Sequence, residues 1–86
     1  MNFDIKYSRA VKKFLHKHRD LAPKIIDCLE QIAQNPYSNT LDIKKLQHTT
    51  NCFRLRIGKY RILYEIRDEE ILIYAYDADS RGDVYK

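Results

Sequence analysis

The sequence predicts an α+β domain, a helical hairpin packed on one face of a mostly antiparallel sheet, in the order β-α-α-β-β-β. Three observations lead there. A short alternating segment precedes residues 9–34, where apolar side chains recur at the helical period. Apolar-rich segments at about 51–57, 60–67 and 70–78 then follow with no helical pattern between them. Between the first two stands Gly58-Lys59, which suits a two-residue hairpin loop with positive φ at the glycine.

Taken in order, Phe3, Ile5 and Tyr7 alternate with Asp4 and Lys6, a short strand with one buried face. Ser8 is suited to cap the helix that follows. That helix sets Val11, Phe14, Leu15 and His18 on one side and Arg9, Lys12, Lys13, His16 and Lys17 mostly elsewhere. A second helix starts at Asp20 or Ala22, since Pro23 is tolerated in a first turn. Its stripe is Leu21, Ile25, Cys28, Leu29, Ile32 and Ala33, and Asn35-Pro36 ends it. The short link makes the two an antiparallel αα-hairpin. Residues 37–50 read as polar and irregular, with a turn of helix at 41–46. The strands at 60–67 and 70–78 are apolar on both faces, which places them mid-sheet. Tyr60, Tyr64, Tyr74 and Tyr76 read as mostly core, and the tail from Ser80 as a short strand or coil.

The 86 residues make one domain, 1–86. With 44% hydrophobic and 33% charged residues, the composition is that of a globular rather than a disordered chain. No apolar run approaches the ~20 residues that span a bilayer, and the N-terminus lacks the apolar core of a signal peptide, so no membrane partner is expected. Cys28 and Cys52 give neither a disulfide framework nor a metal-ligand spacing. Both are expected to be buried free thiols, which suits a reducing cytoplasm. No metal and no cofactor is expected.

Charge is unevenly spread. The net charge is +4, but from Lys44 to Arg61 there are six Lys or Arg and no Asp or Glu. A loop at Gly58-Lys59 pairs Ile57 with Tyr60 and Arg56 with Arg61, and puts Arg54 on the same face as that pair. Like charges directly opposite destabilise a ladder. The expectation is a bare cationic face that an external polyanion, foremost RNA, neutralises. Its candidate residues are Arg54, Arg56 and Arg61, with Lys44, Lys45 and Lys59 as weaker phosphate contacts.

Several segments resemble the RelE/ParE superfamily of bacterial toxins, the toxic halves of type II toxin–antitoxin pairs. They are Lys45-Leu46 before the hairpin, Phe53-Arg-Leu-Arg-Ile-Gly58, Tyr60-Arg-Ile-Leu-Tyr64, and Arg81 followed by Val84-Tyr85. The resemblance, closest to RelE-like members, implies a RelE-like fold and a ribosome-dependent endoribonuclease that cuts mRNA in the decoding site. It further implies a cognate antitoxin as partner, in a hetero-oligomer. Carried onto this chain, it makes Arg56, Arg61, Arg81 and Tyr85 catalytic and Arg54, Lys44, Lys45 and Lys59 RNA-binding. Where many relatives carry a histidine or a second basic residue before the terminal Val-Tyr, this chain has Asp79-Ser80-Arg81. Tyr85 can act as general base or as a stacking platform. Two other readings remain: a ParE-like DNA gyrase inhibitor that cuts nothing, and an RNA- or ribosome-binding module without catalysis.

Overall fold

The structure, a computed structural model, describes residues 2–37 and 40–80. Strand β1 (Asp4–Tyr7) leads to helix α1 (Arg9–Lys17), a turn, and helix α2 (Ala22–Gln34). Four strands follow: β2 (Ile43–Lys45), β3 (Cys52–Ile57), β4 (Tyr60–Arg67) and β5 (Leu72–Ser80), with a 3-10 turn at Asp68–Glu70. They form one sheet in the order β1-β5-β4-β3-β2. Among the described residues only β1–β5 is parallel; the other three pairings are antiparallel. β4 and β5 lie inside the sheet, as their apolar content requires.

One expectation is corrected by β2. Within residues 41–46, expected to form a turn of helix, Ile43–Lys45 is instead an edge strand, because Ile43, Lys44 and Lys45 pair with Leu55, Arg54 and Phe53. Three residues carry too little pattern to announce a strand. The last strand also starts later than 70, since Ile71, at φ +52°, closes the 3-10 turn first. Of the two proposed starts for the second helix, Ala22 is the one used, with Pro23 in its first turn.

The helices cover one face of the sheet. Val11 of α1 and Ile25, Leu29 and Ile32 of α2 pack on Leu55, Ile62, Tyr64, Ile66 and Ile73, all at most 1% exposed. Ser8 caps α1 as expected: its Oγ accepts from Val11 N–H at 3.1 Å. The same hydroxyl donates to the Tyr76 carbonyl at 2.9 Å. That second bond matters, because Tyr76 is the extra residue of a β-bulge: Leu63 pairs with Asp77 while Tyr64 pairs with Ala75. The helix cap thus supplies a partner for a carbonyl that the interrupted ladder does not use.

Of the four tyrosines expected in the core, only Tyr64 is buried. Tyr60, Tyr74 and Tyr76 are half-exposed. Tyr74 lies on the sheet face away from the helices, opposite Glu65, and Tyr76 lies beside it. Cys28 is buried, but Cys52 is only half so, since it too sits on the uncovered face, paired with Glu65. Burial raises the pKa of both the Cys28 thiol and the Tyr64 phenol. Among the described residues the Tyr64 hydroxyl has no hydrogen-bond partner. Tyr64→Phe is therefore expected to stabilise the domain by about 1 kcal/mol, since it removes a buried polar atom that none of them satisfies. A urea melt measures it.

Candidate functional site

The β3–β4 hairpin closes at Gly58-Lys59 with Gly58 at φ +60°, and pairs Ile57 with Tyr60 and Arg56 with Arg61, as the sequence indicated. An L side chain at Gly58 meets no atom within 4 Å, so backbone conformation alone calls for glycine there. Side chains alternate across a strand. Arg54 and Arg56 of β3, Arg61 of β4 and Lys44 of β2 therefore share the uncovered face, by the pairs Lys44–Arg54 and Arg56–Arg61. Lys45 pairs with Phe53, which packs on the core, so Lys45 is separated from the arginines. Lys59 sits in the turn, its Nζ 5.6 Å from the centre of the Tyr60 ring. Arg81 and Tyr85 lie outside the described residues.

The face is not bare, which corrects the main electrostatic expectation. Arg61 donates from Nε to Asp79 Oδ1 at 2.8 Å and from Nη2 to Oδ2 at 3.3 Å. Arg56 Nε meets Asp42 Oδ2 at 2.9 Å, and Arg54 Nη2 reaches Oδ1 of the same carboxylate at 3.5 Å. The acids come from outside the 44–61 window. Asp42 sits just before β2, held there by Arg56 N–H donating to its carbonyl at 2.9 Å. Asp79 arrives through the bulge. Ile73 and Ala75 face the helices, so strict alternation would carry 77 and 79 to that side as well. The extra residue at Tyr76 reverses the phase, Ala78 packs on the core, and Asp77 and Asp79 turn to the arginines.

The three arginines are not equivalent. The Arg54 side chain is 18% exposed, and its buried Nε has no hydrogen-bond partner among the described residues. Its link to Asp42 is the longest of the three, so it keeps the most donor capacity for a ligand. Arg56 and Asp42 are 40% and 50% exposed, and such a pair contributes about 0–1 kcal/mol. Arg61 and Asp79, at 27% and 40%, form a two-point fork.

Beyond the arginines the same face changes character. Arg67 lies over the Tyr74 ring at 4.8 Å and donates to Glu65 at 2.7 Å, which raises its pKa further. The Tyr76 phenol is pushed up to about 12, by burial first and then by Cys52, Asp77 and Glu65. Among the described residues no group of three His, Cys, Asp or Glu stands close enough together to hold a metal ion.

Residues 5–81 match the family described as the ParE toxin of the parDE type II toxin–antitoxin system. The chain belongs to that family. It is similar to the RelE1 protein of Methanocaldococcus jannaschii, 30% identical over 91 positions that cover all of this chain and 98% of the other. It is 28% identical to toxin RelG of Mycobacterium tuberculosis, covering all of this chain and 99% of that toxin. In fold it matches a chain of the crystallised RelE–RelB complex from Pyrococcus horikoshii, with a TM-score of 0.80, 22% identity, and coverage of 95% and 98%. This is a RelE-like toxin of a toxin–antitoxin pair, with the α+β fold of the RelE/ParE superfamily.

Proposed function

We propose that the toxin is an endoribonuclease that cuts ribosome-bound mRNA by attack of a 2′-hydroxyl on the neighbouring phosphate. The Arg61–Asp79 fork carries this reading. Two parallel N–H groups grip two oxygens of one anion, and a phosphate offers oxygens in the same arrangement. Arg54 and Arg56 flank that position from β3, and Lys44 adds charge beside Arg54.

In-line cleavage needs the 2′-proton removed, the phosphorane charge stabilised and the leaving 5′-oxygen protonated. Arginine serves the second task and stays protonated, so it cannot serve as the base. Burial and its neighbours Cys52, Asp77 and Glu65 raise the pKa of the Tyr76 phenol, which counts against it as the base. Arg81 and Tyr85, assigned from the sequence, complete the set, with Tyr85 as base or stacking platform. Positioning contributes about 7–11 kcal/mol in well-oriented reactions. If the ribosome supplies it, the free protein is a poor nuclease. The test is to induce the toxin and map message 5′ ends with and without a translated reading frame. Cuts confined to translated frames support the reading, and their absence from both sinks it.

Two substitutions separate the parts. Asp79→Asn removes the anion that competes for Arg61, and RNA affinity is expected to rise about fivefold, the equivalent of ~1 kcal/mol. Equilibrium binding to an uncleavable message on programmed ribosomes reads this out. Tyr85→Phe is expected to slow single-turnover cleavage by about 10²–10⁴-fold if the hydroxyl is the base. It stays near wild type, with Tyr85→Ala much weaker, if the ring only stacks.

The antitoxin completes the assembly: an acidic, partly disordered segment suits this toxin, as RelB accompanies RelE in the Pyrococcus complex. The proposed setting is the cytoplasm, where ribosomes and messages are found; among the described residues no helix is long and apolar enough to cross a membrane. One observation favours gyrase inhibition without cleavage instead: the family that matches is the ParE toxin of the parDE system. Altered plasmid supercoiling with intact messages would establish it.

A further inference from the structure

The chain has a second acid-free basic stretch. Between Asp4 and Asp20 it carries six Lys or Arg and no Asp or Glu. Five of these, Arg9, Lys12, Lys13, Lys17 and Arg19, lie on α1 or the turn after it, and all are exposed. The fate of the two stretches differs. Folding brings Asp42 and Asp79 to the hairpin arginines, but among the described residues no carboxylate pairs with any of these five. Among the described residues α1 and the turn after it thus carry a run of five exposed cations that no carboxylate pairs.

We infer that α1 is a docking surface for the phosphate backbone of structured RNA, separate from the face that grips the scissile phosphate. The inference rests on the ribosome-directed reading above and names the ribosomal RNA contact it requires. Three features support it. First, the charge at the start of the helix opposes its stability, while Lys17 alone of the set suits the last turn. Arg9 is the first helical residue, no acid occupies the first turn, and Arg9, Lys13 and Lys17 repeat at i, i+4 and i+8. Second, four residues at 1.5 Å each space those cations about 6 Å apart along the axis, comparable to successive phosphates of one strand. Third, the surface joins the arginine face at the hairpin turn. His18, at the end of α1, packs on Tyr60 with ring centres 5.2 Å apart, and the Lys59 Nζ lies 5.6 Å from the centre of the same ring, in the turn that joins the strands of the Arg56–Arg61 pair. An RNA held along α1 is thus continuous with one entering the sheet face around a single turn. A membrane surface fits less well, because Val11, Phe14 and Leu15, the apolar side of α1, are committed to the core.

The test combines Arg9→Gln, Lys12→Gln, Lys13→Gln and Lys17→Gln in one variant. Its binding to small ribosomal subunits without message is measured over a range of salt concentrations. Each lost phosphate contact lowers the slope of log K against log salt by roughly 0.7–0.9, so a total loss of about 3 is expected, with binding at low salt at least ~10-fold weaker. Cleavage at saturating programmed ribosomes should keep its rate, and the thermal midpoint should not fall. A matched variant, Arg9→Lys with Lys12→Arg, Lys13→Arg and Lys17→Arg, keeps the charge and should bind like the parent. Unchanged affinity and slope in the Gln variant overturn the inference. So does failure of the charge-preserving variant, which would make the surface structural. Loss of binding to the acidic antitoxin with subunit binding intact overturns it as well, and assigns α1 to a polypeptide. The cleavage reading fails separately, when the parent protein binds subunits but leaves programmed messages whole.

Discussion

Arg61→Ala is expected to abolish growth arrest and to slow cleavage on programmed ribosomes by about 10²–10³-fold, the usual cost of removing one preorganised group that stabilises developing charge. The fold should survive. Substitution leaves the Asp79 carboxylate without its fork, but that carboxylate is 40% exposed and water takes over. The loss is about 1 kcal/mol or less, partly offset because the facing Arg56 no longer opposes a like charge. In a domain of this size that lowers the melting temperature by at most about 4–8 °C. A folded variant that still arrests growth removes Arg61 from the site. One that is unfolded at growth temperature makes Arg61 structural. Paired with Asp79→Asn, which moves affinity the other way, the two variants ask whether one guanidinium is shared between a carboxylate and a phosphate.

The largest effect on stability is expected from Ile73→Ala. Ile73 is fully buried in β5, where it pairs with Ile5 on one side and Ile66 on the other. Truncation removes three methyl or methylene groups from a site walled by strands on both sides and by the helices above, which leaves little room to collapse. The expected loss is about 2–5 kcal/mol. At ~0.05–0.15 kcal/mol per residue the whole domain holds roughly 4–13 kcal/mol, so this one change consumes a large share. A fall in melting temperature of more than ~10 °C checks it. A smaller fall would show that β5 repacks, and that the sheet is less tightly built than its burial indicates.

The periodic parts of the fold were legible because each buries one face: Val11 with Phe14, Ile25 with Leu29 and Ile32, and the alternation of Leu55, Ile57, Ile62, Tyr64 and Ile66. The hairpin register followed from Gly58 alone. The edge strand at Ile43–Lys45 was not legible, since a strand that short, with only Ile43 directed at the core, has no period to detect. The arginine face was half legible. Its cations lie within eight residues, and the turn orders them. Its anions depend on a bulge, and one inserted residue inverts the side of everything after it. Asp79 was visible in the sequence as a departure from relatives, not as the partner of Arg61. Tyr74 and Tyr76 were misplaced into the core because apolar strands hide which face is covered. The free charge on α1 emerges only by comparing which cations found a carboxylate and which did not.

The pairing of β1 with β5 also sets the timing of folding. Ser8 reaches across to a carbonyl 68 positions later, and among the described residues β1 has no ladder partner but β5. Such long-range closure is slow, because loop entropy is spent before the contact repays it. On a ribosome, β1 and both helices emerge while their sheet does not yet exist, and Asp79 is made after all three hairpin arginines. Helical segments form early; the arginine face is assembled at the end. Between synthesis and the assembled arginine face there is a delay fixed by topology, and an antitoxin has that interval in which to arrive.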